Sequence, residues 1–215
     1  MTGLTLARSE LILGGQKSGK SRRAETLARD WLAQSPAHHA VLIATAQPWD
    51  AEMRERIARH QIDRAARVPG MRTVEEPLAL AQAIQKHSHP DTLVVVDCLT
   101  LWLTNWMMPM DHVAQPQQRN QSPDNPLEKA KQFIPFEPLA LVYSEPEAML
   151  LEAVSSAPGP VVLVGNEIGL GVIPLGREVR AFVDALGRLN QEVARVCARV
   201  TLMAAGLPLT LKDAS

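Results

Sequence analysis

The octapeptide Gly14-Gly15-Gln16-Lys17-Ser18-Gly19-Lys20-Ser21 limits what this chain can be more than any other segment. It follows the apolar run Leu11-Ile12-Leu13. It precedes a stretch, Ser21 to Ala33, in which Ala24, Leu27, Ala28, Trp31 and Leu32 fall on one helical face. The pattern G-x-x-x-x-G-K-[ST] between a strand and a helix has a chemical reason. Glycines let backbone N–H groups curl around phosphate oxygens, and Lys20 reaches the β- and γ-phosphates. Ser21 can ligate Mg²⁺, and the helix that follows offers its positive end. A glycine-rich turn with an ordinary surface lysine is the plainer alternative, and the flanking strand and helix argue against it.

Short apolar runs alternate with helical patterns along the rest of the chain. Val41 to Ala46 is a strand candidate stopped by Pro48. Asp50 is placed to cap a helix reaching about Ala66, Met71 to Val74 reads as a short strand, and Pro77 opens a helix through about Lys86. Leu93 to Asp97 and Val161 to Val164 are strands, and Glu178 to Arg199 is a long helix. Val200 to Ala204 and Leu207 to Leu211 would close the sheet around Gly206. Strands that are apolar throughout need both faces covered, as in parallel sheets. The expected fold is therefore α/β, a mostly parallel P-loop NTPase-like sheet with helices on both faces. One domain spans 1–215, with a Pro/Gln-rich insertion at about 105–138 that breaks the alternation.

The net charge of -1 argues against a general nucleic-acid binder. Cys98 and Cys197 stand in no CxxC or Cys/His cluster, which points away from a zinc site or a disulfide framework. No apolar run approaches a membrane span of about 20 residues, and the first ten residues hold no signal-peptide core. The expected compartment is the cytoplasm.

Two further elements carry chemistry. Asp97 ends the strand 93–96, where a carboxylate can hold the nucleotide's metal, usually through water. The segment 50–67 places Met53, Ile57 and His60 at i, i+4 and i+7, with Arg56 and Arg64 one turn to either side of the histidine. A neutral imidazole near a triphosphate can attack phosphorus, and the neighbouring arginines can neutralise phosphate charge. Spacing alone favours a plainer role, a boundary histidine on a helix salt-bridged through Glu52 and Glu55. Gly169-Leu170-Gly171 begins like a dinucleotide fingerprint, but Pro174 occupies the third glycine position.

Several segments together resemble the bifunctional adenosylcobinamide kinase / adenosylcobinamide-phosphate guanylyltransferase family. They are GGQKSGKSRRAE, IATAQPWDAEMRERIARH, TVEEPL, VVVDCLTLWLTN, VLVGNEIGLGVIP, RAFVDALGRLNQEVA and GLPLTLK, in that order. The resemblance covers nearly the whole chain outside 105–160. It implies phosphorylation of adenosylcobinamide by ATP or GTP. Transfer of GMP from GTP through a guanylyl-histidine then gives adenosyl-GDP-cobinamide. It implies that His60 is the nucleophile and Lys20 the triphosphate-gripping catalytic lysine. It places nucleotide contacts at Gly14 to Ser21, at Ala44, Thr45 and Ala46, at Gln61, Ile62, Asp63 and Arg64, and at Glu75 and Asp97. Mg²⁺ would sit with Ser21 and Asp97, and the assembly would be a homotrimer. The chain departs from the family's habit at Lys17, Met71, Val183 and Ala198. Two other readings of the residues are a P-loop small-molecule kinase without guanylyl transfer and a nucleotide-binding regulator without catalysis.

Overall fold

A computed structural model describes residues 6–48, 51–108 and 144–214, apart from the side chains of Arg56, His60 and Ser144. Seven strands form one sheet: β1 (Ser9–Gly14), β2 (His39–Ala44), β3 (Met71–Glu75), β4 (Thr92–Asp97), β5 (Val161–Val164), β6 (Arg199–Ala204) and β7 (Leu207–Asp213). Their order is β3-β2-β4-β5-β1-β6-β7. Every pairing is parallel except the last, where β7 returns antiparallel along β6. Strands that precede residues 109–143 and strands that follow them interleave, because β5 lies between β1 and β4.

Among the described residues six helices accompany the sheet: α1 (Lys20–Gln34), α2 (Ala51–Arg67), α3 (Leu80–His87), α4 (Leu99–Met107), α5 (Ser144–Ser156) and α6 (Arg177–Val196). Alternation along the strands splits the core into two layers. Leu11, Leu13, Ile43, Val94, Val96, Val161 and Leu163 face α3, α4, α5 and α6. Ile12, Leu42, Leu93, Val95, Val162 and Val164 pack with Ala24, Leu27 and Ala28 of α1 and with Val68 just past α2. Burying each such aliphatic side chain is worth about 1.5–3 kcal/mol. Both faces of the central strands therefore drive folding, as their unbroken apolar sequences require.

The elements differ from the sequence reading in a few places. The helix expected from Pro77 begins at Leu80, because Glu76 Oε1 accepts hydrogen bonds from the Leu78 and Ala79 N–H groups and holds that stretch as a turn. The long helix ends at Val196, and its chain turns extended at Cys197. Residues 105–107, assigned to the insertion, complete α4. The rest of that insertion, 109–138, and the cap expected at Asp50 lie outside the described residues.

Candidate active site

The carboxyl edge of the parallel strands collects most of the residues singled out from sequence. The strand register pairs Glu75 with Ala44, Ala44 with Asp97, Asp97 with Val164, and Val164 with Ile12. Glu75, Ala44 and Asp97 thus stand side by side in one row. Two residues beyond Ile12, β1 ends at Gly14 and the phosphate loop begins.

The loop's shape follows from its glycines. Gly14 has φ +153°, and a Cβ there would fall 2.5 Å from the Met203 carbonyl oxygen and 2.6 Å from Ser18 Oγ. Gly19 enters α1 with φ +102°, a conformation that costs little only without a side chain. Lys17 also takes the left-handed region, at φ +57°. The β6–β7 turn braces the loop, since Gly206 N–H donates to the Ser18 carbonyl at 3.0 Å. On the other side Glu167 N–H donates to the Gly14 carbonyl at 3.1 Å. Gly15, Gln16 and Lys17 are exposed, whereas Ser18 and Lys20 are buried and Ser21 is half-buried.

Lys20 projects back over the loop, its Nζ donating to the Gly15 carbonyl at 2.6 Å and to Ser18 Oγ at 3.5 Å. Burial holds its ammonium below the ordinary lysine range, and the Cys98 thiol and the Asp97 carboxylate push the other way. A buried cation facing a carboxylate at a helix N-terminus is well placed to take an anion.

Thr45 is fully buried and joins the ends of β2 and β4. Its hydroxyl donates to the Cys98 carbonyl at 2.7 Å and accepts from Cys98 N–H at 2.9 Å, while its own N–H donates to the Asp97 carbonyl at 3.2 Å. Asn105, which sequence reasoning missed, donates from Nδ2 to the Thr45 carbonyl at 2.8 Å and to the Pro77 carbonyl at 3.0 Å. Ala46 follows, half-buried.

Helix α2 reaches the same edge. Gln61 Nε2 donates to Glu75 Oε1 at 3.1 Å, so the turn holding positions 60 and 61 is level with the carboxyl end of β3. The ten residues from Gln61 back to Ala51 then extend about 15 Å further. The inward stripe read from sequence is visible at its described positions, with Met53 and Ile57 half-buried and Arg64 buried. Ile62 is 71% exposed, and Asp63 pairs with Arg67 at 3.4 Å. The backbone of His60 lies in α2; its side chain lies outside the described residues, as does that of Arg56.

A cavity of about 420 Å³ adjoins the loop, lined by Gly15, Lys17, Ser18, Glu167, Leu170 and Met203 among others. Glu167 and Leu170 thus sit beside the phosphate loop, and Leu170, Val172, Ile173 and Leu175 are all strongly exposed.

A sequence model described as cobinamide kinase / cobinamide phosphate guanyltransferase matches residues 10–211. The chain belongs to that family. Among curated relatives, the bifunctional adenosylcobalamin biosynthesis protein CobP of Pseudomonas aeruginosa is 44% identical over 204 residues, spanning 94% of this chain and 96% of that protein. The CobU proteins of Salmonella typhimurium and Escherichia coli, described by the same bifunctional name, are 32% and 31% identical over 202 residues. Each alignment spans 94% of this chain and 98% of the relative. Among solved structures, the flagellar accessory protein FlaH of Methanocaldococcus jannaschii aligns over 99% of this chain and 81% of its own, at 10% identity and a TM-score of 0.46. That likeness is too loose to bear on the activity. Within the cobinamide kinase / guanyltransferase family, the row Glu75–Ala44–Asp97 and the loop 14–21 are the geometric core of the candidate site.

Proposed function

We propose that this chain carries out both reactions of its family at one nucleotide site, the carboxyl edge where the loop 14–21, Asp97 and the turn of α2 at positions 60–61 converge. It is a cobinamide kinase and cobinamide phosphate guanylyltransferase acting in adenosylcobalamin biosynthesis. The observation that carries the single-site reading is the register row of Glu75, Ala44 and Asp97 beside the phosphate loop, with Gln61 bonded to Glu75 at 3.1 Å.

In the kinase step, the loop N–H groups and Lys20 hold the triphosphate of ATP or GTP. The aminopropanol hydroxyl of adenosylcobinamide attacks the γ-phosphorus, the bond to the β-bridging oxygen breaks, and the hydroxyl proton leaves to solvent. The site's work is positioning and charge stabilisation. In the second step the imidazole of His60 attacks the α-phosphorus of GTP. A P–N bond forms, the bond to the bridging oxygen breaks, pyrophosphate departs, and the ring sheds a proton. A phosphate oxygen of adenosylcobinamide phosphate then attacks the same phosphorus, the P–N bond breaks as the ring regains a proton from solvent, and adenosyl-GDP-cobinamide leaves. Arg64, Gln61, Ile62 and Asp63 on α2, with Thr45, Ala46 and Glu75, line the nucleotide in this reading.

The oxygen donors present suit Mg²⁺. Ser21 offers a hydroxyl in the first turn of α1 and Asp97 a carboxylate at the end of β4, a sparse hard-oxygen pair of the kind that leaves most positions to phosphates and water. Asp97 lies near enough to Lys20 and Glu25 to perturb both. The ion neutralises phosphate charge when bound.

The chain forms one domain carrying an insertion that begins after α4, and it works in the cytoplasm, where its nucleotide substrates are made. Among the described residues no helix is long and apolar enough to cross a membrane. A homotrimer is the proposed assembly. In support, the edge strand β7 exposes Leu207, Leu209 and Leu211, and the 168–175 stretch exposes its own aliphatic side chains. Light scattering measures the mass.

The test of the two-reaction reading is labelled nucleotide with adenosylcobinamide as acceptor. The γ-label of ATP or GTP should appear in adenosylcobinamide phosphate, and the α-label of GTP in adenosyl-GDP-cobinamide. Lys20→Ala should abolish both. Transfer of the γ-label alone would favour the small-molecule kinase, and binding without either transfer the regulator.

A further inference from the structure

Helix α2 is attached to the rest of the protein in an unusual way. Among its described side chains, the one that is buried is an arginine: Arg64 is 7% exposed, while Met53 and Ile57 are half-buried. The attachment is therefore largely polar. Gln61 holds the strand end at Glu75. Against α1 the tie is Glu25, whose Oε2 lies 3.0 Å from Arg67 Nη1.

Glu25 is an odd residue to find there. It sits five residues past Lys20, about 7.5 Å along α1, and is 6% exposed. Burial raises its carboxyl above the usual glutamate range, Arg67 and then Arg64 pull it back, and Asp97 and Asp63 add to the rise. Its charge is paired with Arg67 of α2, and cutting such a buried pair from one side leaves the other charge uncompensated. Arg64 is buried beside this pair on the same helix face.

Positions 60, 64 and 67 stand at i, i+4 and i+7, on one face of α2. The stripe that Glu25 grips is therefore the stripe that bears position 60. We infer that Glu25 is a positioning residue for guanylyl transfer: through Arg67 it fixes the histidine helix against the phosphate-loop helix, setting where position 60 stands relative to the triphosphate. The inference rests on the proposed nucleophilic role of His60. Kinase chemistry uses the loop and the γ-phosphate and asks nothing of position 60, so the clamp separates the two activities.

Glu25→Gln removes the charge and keeps the shape. Arg67 retains its ion pair with Asp63 at 3.4 Å and its Nε donation to the Asp63 carbonyl at 3.0 Å, so α2 stays helical. Arg67→Met, at a side chain 41% exposed, cuts the same tie from the other side. Both variants should slow formation of the α-labelled GMP adduct roughly tenfold or more, since a misplacement of about 1 Å can cost 10²-fold. γ-Phosphoryl transfer should fall far less than adduct formation, since any loss of GTP affinity through Gln61 to Arg64 weighs on both reactions alike. Arg67→Lys should recover part of the rate, and the double variant should be little worse than either single one. Hydrogen exchange across residues 51–67 should speed up in both single variants and leave the β1 and β4 amides unchanged. Unaltered adduct kinetics and exchange would overturn the clamp. So would a parallel fall in kinase rate and GTP affinity, which would make Glu25 a general structural residue. A wild-type chain that takes no α-label would overturn the guanylyl-histidine reading itself, and the positioning role with it.

Discussion

Thr45 and Cys98 exchange two hydrogen bonds, the threonine hydroxyl donating to the Cys98 carbonyl at 2.7 Å and accepting from its N–H at 2.9 Å. One side chain thereby satisfies both backbone groups of the residue after Asp97 and fixes the carboxylate at the head of β4. Thr45→Val keeps the volume and strands the buried Cys98 N–H at about 1–3 kcal/mol, while the Cys98 carbonyl keeps the Trp102 N–H at 3.1 Å. Urea unfolding should show a loss of roughly 1–3 kcal/mol, while Thr45→Ser should lose much less. Metal-dependent turnover should fall with Thr45→Val beyond what the stability loss explains.

Lys20 carries a cost that a bound triphosphate would relieve. Its folded-state pKa lies below the ordinary 10.5 because burial disfavours the charge. The stability such a group contributes is present above the unfolded value and is lost as pH falls through the folded one. At neutral pH the buried lysine therefore weakens the free protein, and in its proposed role a triphosphate would offset that cost. Lys20→Met should leave the melting temperature of the free protein equal or higher, and abolish the upward shift that GTP produces in wild type. Calorimetric or fluorescence melts with and without GTP check both halves.

The two thiols are sheltered. Burial pushes Cys98 up to about 11, with the Asp97 carboxylate adding to the rise, and burial pushes Cys197 up to about 12. Thiolate is the reactive form, so neither should react with Ellman's reagent in the folded protein at pH 8. Both should react on denaturation. Rapid modification of either thiol in the native state would contradict the packing around β4 or the end of α6.

The phosphate loop and the apolar strands β1, β2, β4 and β5 were legible because each depends on local pattern: glycines at fixed spacing, or unbroken runs that only a two-sided core can bury. Helix α4 was not assigned, since Leu99 to Met107 buries Leu99, Thr100, Trp102, Leu103 and Asn105 and so shows little polar periodicity. Helix α5 also went unassigned, beside the Pro/Gln-rich stretch. The order of the strands was hidden as well, because parallel pairing is decided by tertiary contacts and leaves no mark on any one strand. Among site residues, Glu75 and Asp97 could be placed only by resemblance and by a strand end. Their adjacency through Ala44 came from register. Glu25 gave no signal, for an acid on an amphipathic helix ordinarily faces water. Asn105 gave none either, since its role lies in carbonyls donated by distant turns.

The most direct test of the whole account is mapping of the covalent nucleotide. Wild-type protein incubated with α-labelled GTP and Mg²⁺, without corrinoid, should yield one labelled peptide carrying GMP on His60. The label should be stable to base, lost in mild acid, and absent in His60→Ala. A label on another residue, or one that persists in His60→Ala, would contradict the assignment of the nucleophile and the single nucleotide site built around it.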